Sequence, residues 1–317
     1  MVLLPTLMRP AMHLFAYSLA GLLLCLCSAS LVRAELLLVT VVQSENSGAY
    51  SEFSAALRAS LVNKEVTLTV VDAGQPLPPN SSLVVAVGMK AASEVANGNT
   101  TFVLNVMIPR SGHKKLLLDF PKRANTSRFS SIYLDQPVER QLSLIAAAFP
   151  DRHNLGVLFA APTPDEIGEL KLKVVEYGFS LYADEVNANV TLFQELQELL
   201  KHSDVFLSLP SPTIFNSSTL RNILVSTYQA EVPLVGFSSS YVKAGAMCAV
   251  FSTPPQIASQ ASAAILKFAD TGALPPAQYP KLYEVAVNER VAQSLNIKIL
   301  GADELQHKMN SPRKRAP

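Results

Sequence analysis

Phe237-Ser238-Ser239-Ser240-Tyr241 is the segment best suited to chemistry. Three hydroxyls that can both donate and accept hydrogen bonds stand between two aromatic rings. The segment separates two apolar strand signals, residues 232–236 and 247–251. A polar loop leaving the carboxyl end of a buried strand is where ligands sit in an open α/β sheet. Apolar walls with a few placed polar groups are also the make-up of a small-molecule pocket. Gly236-Phe237-Ser238-Ser239-Ser240 comes close to a G-x-S-x-G nucleophile elbow, but the second Gly is absent. A hydrolase also needs a positioned base, and only His307 follows, in a polar tail. The chemistry expected here is binding rather than catalysis.

Other loops offer similar groups. Ser44, Asn46 and Ser47 precede a helix signal, where free backbone N–H groups can hold an anionic ligand group or where one side chain can cap the helix. Ser211 and Thr213 follow an apolar strand in the same way. Thr163 opens a helix and has a competing role as its cap. Asp135 lies on an extended crossing, where it could bind a ligand amine or cap the helix after Pro137. His113, His153, His202 and His307 are scattered without ligand spacing, so no metal and no cofactor is expected.

These loops are positioned by alternating strand and helix signals. Strands are predicted at residues 35–42, 66–71, 83–87, 101–107, 155–160, 179–186, 205–209, 232–236, 247–251 and 283–287. Most are separated by stretches with helical periodicity. Thr163–Glu166, Thr191–Gln194 and Thr253–Gln256 have the spacing of capping boxes. Gly178 and Gly272 close helices. Residues 109–130 break the rhythm and read as an irregular excursion with a short strand near Lys115 to Asp119. The alternation implies α/β architecture: two Rossmann-like lobes with parallel sheets and right-handed crossovers. The first lobe is expected over 35–132 plus about 253–280, and the second over 133–252 plus about 281–300. The chain would cross between them near 131–136, 251–254 and 275–281. Residues 301–317, ending in a basic run, read as a disordered tail.

The chain has 317 residues, 49% hydrophobic and 16% charged, with a net charge of +1. That suits globular domains with large cores, and no nucleic-acid footprint is visible. Arg9, the apolar run from Leu14 to Cys27 and Val32-Arg33-Ala34 read as a cleavable export signal over residues 1–34. Cleavage removes two of the 26 Lys and Arg residues and leaves 24 against 25 acidic ones. Only Cys248 then remains of three cysteines, so no internal disulfide can form. Its apolar surroundings suit a buried thiol.

Four segments, taken together in order and spacing, resemble a known family. They are AAAFPDRHNLGVLF (146–159), HSDVFLSLPSPTIFN (202–216), VPLVGFSSSYVKAGAMCAVFSTPPQIASQASAAILKFADTG (232–272) and VAVNERVAQSLNI (285–297). The chain resembles the orphan substrate-binding proteins of bacterial ABC-type uptake systems, within the two-lobed periplasmic binding proteins. The resemblance implies a Venus-flytrap architecture in the periplasm that closes on a small-molecule ligand, an amino acid or another small solute. It implies a membrane permease as partner, or a membrane sensor protein if the role is signalling. Where the family usually carries Gly followed by a hydroxyl residue, this chain has Gly88-Met89, which places Met89 among the candidate ligand contacts.

Overall fold

The computed structural model describes residues 36–46, 48–124, 126–160, 164–186 and 191–311, residues 164–166 by their backbone alone. The predicted export signal lies outside the described residues, as do Ser47 and Thr163. Among the described residues, no helix is long and apolar enough to cross a membrane.

Two sheets organise residues 37–311. The first contains β1 (Leu37–Gln43), β2 (Val66–Asp72), β3 (Leu83–Val87), β4 (Val103–Ile108) and β5 (Phe129–Tyr133), ordered β2-β1-β3-β4-β5 and wholly parallel. The second contains β6 (Asn154–Phe159), β7 (Ser180–Glu185), β8 (Val205–Leu207), β9 (Leu234–Gly236), β10 (Cys248–Phe251) and β11 (Glu284–Val287). Its order is β11-β10-β9-β8-β6-β7, with only β11 antiparallel. The central strands are predominantly apolar because both faces are covered; β3 is an unbroken Leu-Val-Val-Ala-Val run with all five residues buried.

In the first half, α1 (Gly48–Ser60) covers one face with Phe53 and Leu57, and α2 (Met89–Asn97) covers the other with Ala91, Ala92 and Val95. α3 (Arg110–Asp119) follows β4. The second half carries α4 (Val138–Ala148), α5 (Pro164–Glu176), α6 (Leu192–His202), α7 (Leu220–Gln229) and α8 (Ser239–Ala244). α9 (Pro254–Thr271) returns to the first sheet, where Ile257, Ala261, Ile265 and Phe268 join the core around Phe53. Residues 274–278 then run along β5: Leu274 donates to the Ser127 carbonyl and Gln278 to that of Ser131. β11 rejoins the second sheet, followed by α10 (Glu289–Ser294) and α11 (Ala302–Asn310).

Three expectations are corrected. The stretch around Lys115–Asp119 is helix, not strand. Ser111, His113 and Leu116 share its buried face. The Asp135 carboxylate accepts the Arg110 N–H at 2.6 Å, so the helix is started by a side chain 25 residues away that no local pattern announces. The tail is ordered through α11. Leu305 is fully buried in the second core, Asp303 and Glu304 sit in the first turn, and His307 and Lys308 sit in the last, matching the helix dipole. The Thr191 hydroxyl donates to the Gln194 side chain instead of capping the backbone. Thr253 and Gln256 do form both arms of their box.

Candidate functional site

In a doubly wound sheet the strand order reverses at one point, and the two loops that part there leave a crevice. In the first sheet the reversal falls between β1 and β3, hence between Ser44–Asn46 and Gly88–Met89. The Ser44 hydroxyl donates to the Val87 carbonyl at 2.8 Å and accepts the Ala91 N–H at 3.1 Å. It therefore caps α2 from across the crevice, a task the Gly88 position cannot perform for itself. Gly88 has φ +83, and a Cβ there would lie 2.6 Å from Ser44 Oγ and 2.8 Å from the Tyr50 ring. Asn46 is exposed and accepts the Ser51 hydroxyl at 3.0 Å, as a helix-start side chain does. The Met89 sulfur lies against Gly112 of α3, where a Cβ would come within 2.4 Å of it.

In the second sheet the reversal falls between β6 and β8. The loop after β8 contains Ser208, whose hydroxyl is spent on the Val235 carbonyl at 2.8 Å. Ser211 is half-buried and Thr213 exposed. Next to them lies an aromatic group: Phe215, Phe237 and Tyr241, with the Phe237 and Tyr241 ring centroids 4.2 Å apart. Tyr241 is buried, and burial pushes its phenol up to about 12. Ser238 caps α8 by accepting the Tyr241 N–H, and its hydroxyl lies 2.7 Å from that of Ser240. These serines are thus held in place by the helix they start.

The two halves meet through residues that the sequence reading passed over. Arg110, at the carboxyl end of β4, donates from Nη1 to Glu169 Oε2 at 2.6 Å and to the Tyr279 hydroxyl at 2.7 Å. Glu169 lies in the second turn of α5, which starts at the carboxyl end of β6. Burial keeps the Tyr279 phenol well above its ordinary value, against a smaller opposing pull from Arg110. Arg110, Asp135, Gln141, Leu170, Leu209 and Tyr279 enclose a cavity of about 20 Å³. That is room for about one water.

Below this contact the crossings are stitched together. Gln136 Nε2 donates to Ser252 Oγ at 3.0 Å, and Ser252 Oγ donates to the Leu282 carbonyl. Arg140 donates to Gln136 Oε1 and to the Pro280 carbonyl at 3.0 Å. One polar chain thus touches all three connections between the sheets.

Of the predicted residues, Ser44 and Met89 meet at the first reversal point, Asp135 joins the contact between the halves, and Phe237, Ser238, Ser240 and Tyr241 form one group on the second sheet. No single cavity collects them. Asp135 caps α3, and Pro137 starts α4 without a side-chain cap. A stronger reading of Pro109-Arg110, a cation directly after a buried strand, would have found Arg110; Glu169 and Tyr279 carry no local signal.

Elsewhere, a cavity of about 590 Å³ lies along α7 beside Leu220, Leu224, Tyr228 and Gly245. It is lined from α7, α8 and α10 of the second half alone, whereas a ligand that closes this fold touches both halves, so the contact between the halves is the better candidate. Cys248 is fully buried and burial drives its thiol far up, which suits structure rather than reactivity. Among the described residues, no group of three or more His, Cys, Asp or Glu could hold a metal ion.

The fold has clear relatives among solved structures. An ABC domain in complex with L-Trp from Streptococcus pneumonia superposes with a TM-score of 0.64 at 15% identity, covering 86% of this chain and 97% of that one. A conserved domain protein from Vibrio cholerae gives 0.61 at 19% identity over 88% and 100%. A ligand-free, open substrate binding protein with adhesive properties from Clostridium difficile gives 0.62 at 12% identity over 83% and 96%. At these identities the likeness establishes the two-lobed periplasmic-binding-protein fold and nothing finer. No curated protein sequence matches. The sequence pattern of the ABC transporter substrate binding proteins, however, matches residues 131–306, more than half of the chain, and the chain belongs to that family.

Proposed function

We propose that the chain captures a small solute between its two halves by hinge closure and delivers it to a membrane permease of the ABC type. The observation that carries this reading is the Arg110–Glu169 ion pair. It joins the carboxyl-end loops of both sheets, the place where a ligand in this fold could touch both halves at once. Contacts to both halves would favour the closed arrangement over an open one. The stitched crossings at Gln136, Ser252 and Arg140 supply the hinge. The cavity of about 20 Å³ at this contact admits no whole solute, so binding requires the halves to part first.

In this reading residues 1–34 direct export to the periplasm, and the first lobe comprises 35–132 with about 253–280. Ser44, Asn46, Ser47 and Met89 line the cleft from the first lobe, and Asp135 lines it from the crossing that opens the second. Thr163, Ser211, Thr213, Phe237, Ser238, Ser240 and Tyr241 line it from the second. The experiment is thermal unfolding of the refolded, ligand-stripped chain from Glu35 against amino acids, nucleosides, sugars and organic acids. A ligand at 100 times its dissociation constant should stabilise the fold by about 2.7 kcal/mol. A shift confined to one compound class supports solute capture. No shift with any class counts against it and favours a membrane sensor as the partner.

A further inference from the structure

α7 carries apolar side chains on two faces. Ile223 and Thr227 form its buried face. Val225 and Tyr228 sit on the opposite side, since successive residues turn by about 100° around a helix. They remain 47% and 48% exposed, where a surface helix ordinarily presents polar groups. With Leu220 and Leu224 they form one wall of the cavity of about 590 Å³. Ala244 at the end of α8, Gly245 and Val291 of α10 complete it. Gly245, at φ +133, has no side chain to fill the space, and a Cβ there would meet only the Leu224 methyls. The volume lies within the range of small-molecule sites, and a contiguous exposed apolar surface marks a place of binding.

The charges narrow the kind of ligand. Among the described residues of the wall, Arg221 alone is charged. Lys243 and Arg290 are exposed and adjoin the wall residues Ala244 and Val291. Glu231 and Glu289 stand two residues off the wall, so the excess is positive. Among the described residues, none pairs with the side chains of Arg221, Lys243 or Arg290.

We propose that this groove is a further ligand site that takes an amphipathic carboxylate. The hydrocarbon chain lies along Leu220, Leu224, Val225 and Tyr228, with the carboxylate beside Arg221. Walls on three helices suit a single chain rather than the flat face of a bilayer. Because all three belong to the second half, occupancy requires no hinge closure, and the inference stands apart from solute capture.

The probe is ¹⁴C-decanoate, equilibrated by dialysis with the full chain. Saturable uptake is the expected result, several-fold tighter than that of octanoate because added methylenes are buried. Val225→Glu sets a like charge in the apolar wall and should weaken decanoate by about tenfold or more. Tyr228→Glu takes its place should that variant fail to fold in urea unfolding. Arg221→Glu should weaken decanoate by about threefold or more and leave decanol within about twofold. The inference is overturned if decanoate does not saturate, if the wall variant binds it as the parent does, or if decyltrimethylammonium binds as tightly. Binding to anionic phospholipid vesicles without binding of monomeric decanoate would make the groove a membrane contact and also overturn it. So would loss of decanoate in Arg110→Met but not in the wall variant, which would move the ligand to the contact between the halves and leave solute capture standing.

Discussion

The Arg110 guanidinium and the Glu169 carboxylate, 59 residues apart, lie 2.6 Å from each other. Both side chains are part-exposed, at 23% and 33%. Solvent and salt therefore screen the pair, and its worth to stability is about 0–1 kcal/mol. Its effect falls on the arrangement of the halves instead. Glu169→Gln should leave denaturant unfolding within about 1 kcal/mol of the parent yet increase the radius of gyration of the ligand-free chain in small-angle scattering. Arg110→Met should increase the radius further, because the Tyr279 hydroxyl loses its partner as well. A radius unchanged in both variants would show that the pair does not hold the halves together.

Ser44 and Gly88 make a second, local test. Ser44→Ala removes the hydroxyl that both caps α2 and ties it to β3, at a cost of about 1 kcal/mol. Gly88→Ala should cost more, since it combines a positive φ with a Cβ 2.6 Å from Ser44 Oγ. The double variant should be less destabilised than the sum, because removing the hydroxyl relieves the clash. Additive unfolding energies would refute the close approach.

Much of this was legible in the sequence for a physical reason. Parallel strands covered on both faces are mostly apolar, so β1, β3, β4, β6 and β10 stand out as predominantly apolar runs. Helix starts such as Thr253–Gln256 carry their caps within four residues. What stayed hidden depends on partners far along the chain. α3 is started by Asp135, α11 is ordered by burying Leu305 against the second core, and Glu169 matters only because Arg110 reaches it. The serines at 238 and 240 were visible as polar groups, but their mutual hydrogen bond and their capping role needed coordinates.

His113 gives the chain an acid sensitivity. It is buried, its Nδ1 lies 2.7 Å from Ser131 Oγ, and its ring packs between Phe129 and Tyr133. Burial lowers its pKa to about 4, against about 6.5 in an unfolded chain. The unfolded state thus takes up the proton first. The stability associated with neutral His113 is complete above pH 6.5 and falls as the pH drops towards 4, by about 3 kcal/mol. His113→Gln should flatten that slope in urea unfolding between pH 7 and pH 4. An equally steep slope in the variant would assign the acid loss to other groups.

Tyr241 should act at the opposite end of the pH scale. Its hydroxyl is held neutral by burial beside Phe215 and Phe237, with a pKa pushed up to about 12, whereas an unfolded tyrosine ionises near 10. A raised folded value means that stability is intact below pH 10 and declines as the pH climbs to 12, by about 2 kcal/mol at that point. Tyr241→Phe keeps the ring packing and removes the ionisable group. It should match the parent at pH 7 to within about 1 kcal/mol and lose less stability above pH 10. The phenolate absorbance of the folded parent should also include one more late-titrating tyrosine than that of the variant. If the two proteins lose stability in parallel from pH 10 to 12, Tyr241 is not shielded, and the aromatic group beside Ser238 is open to water.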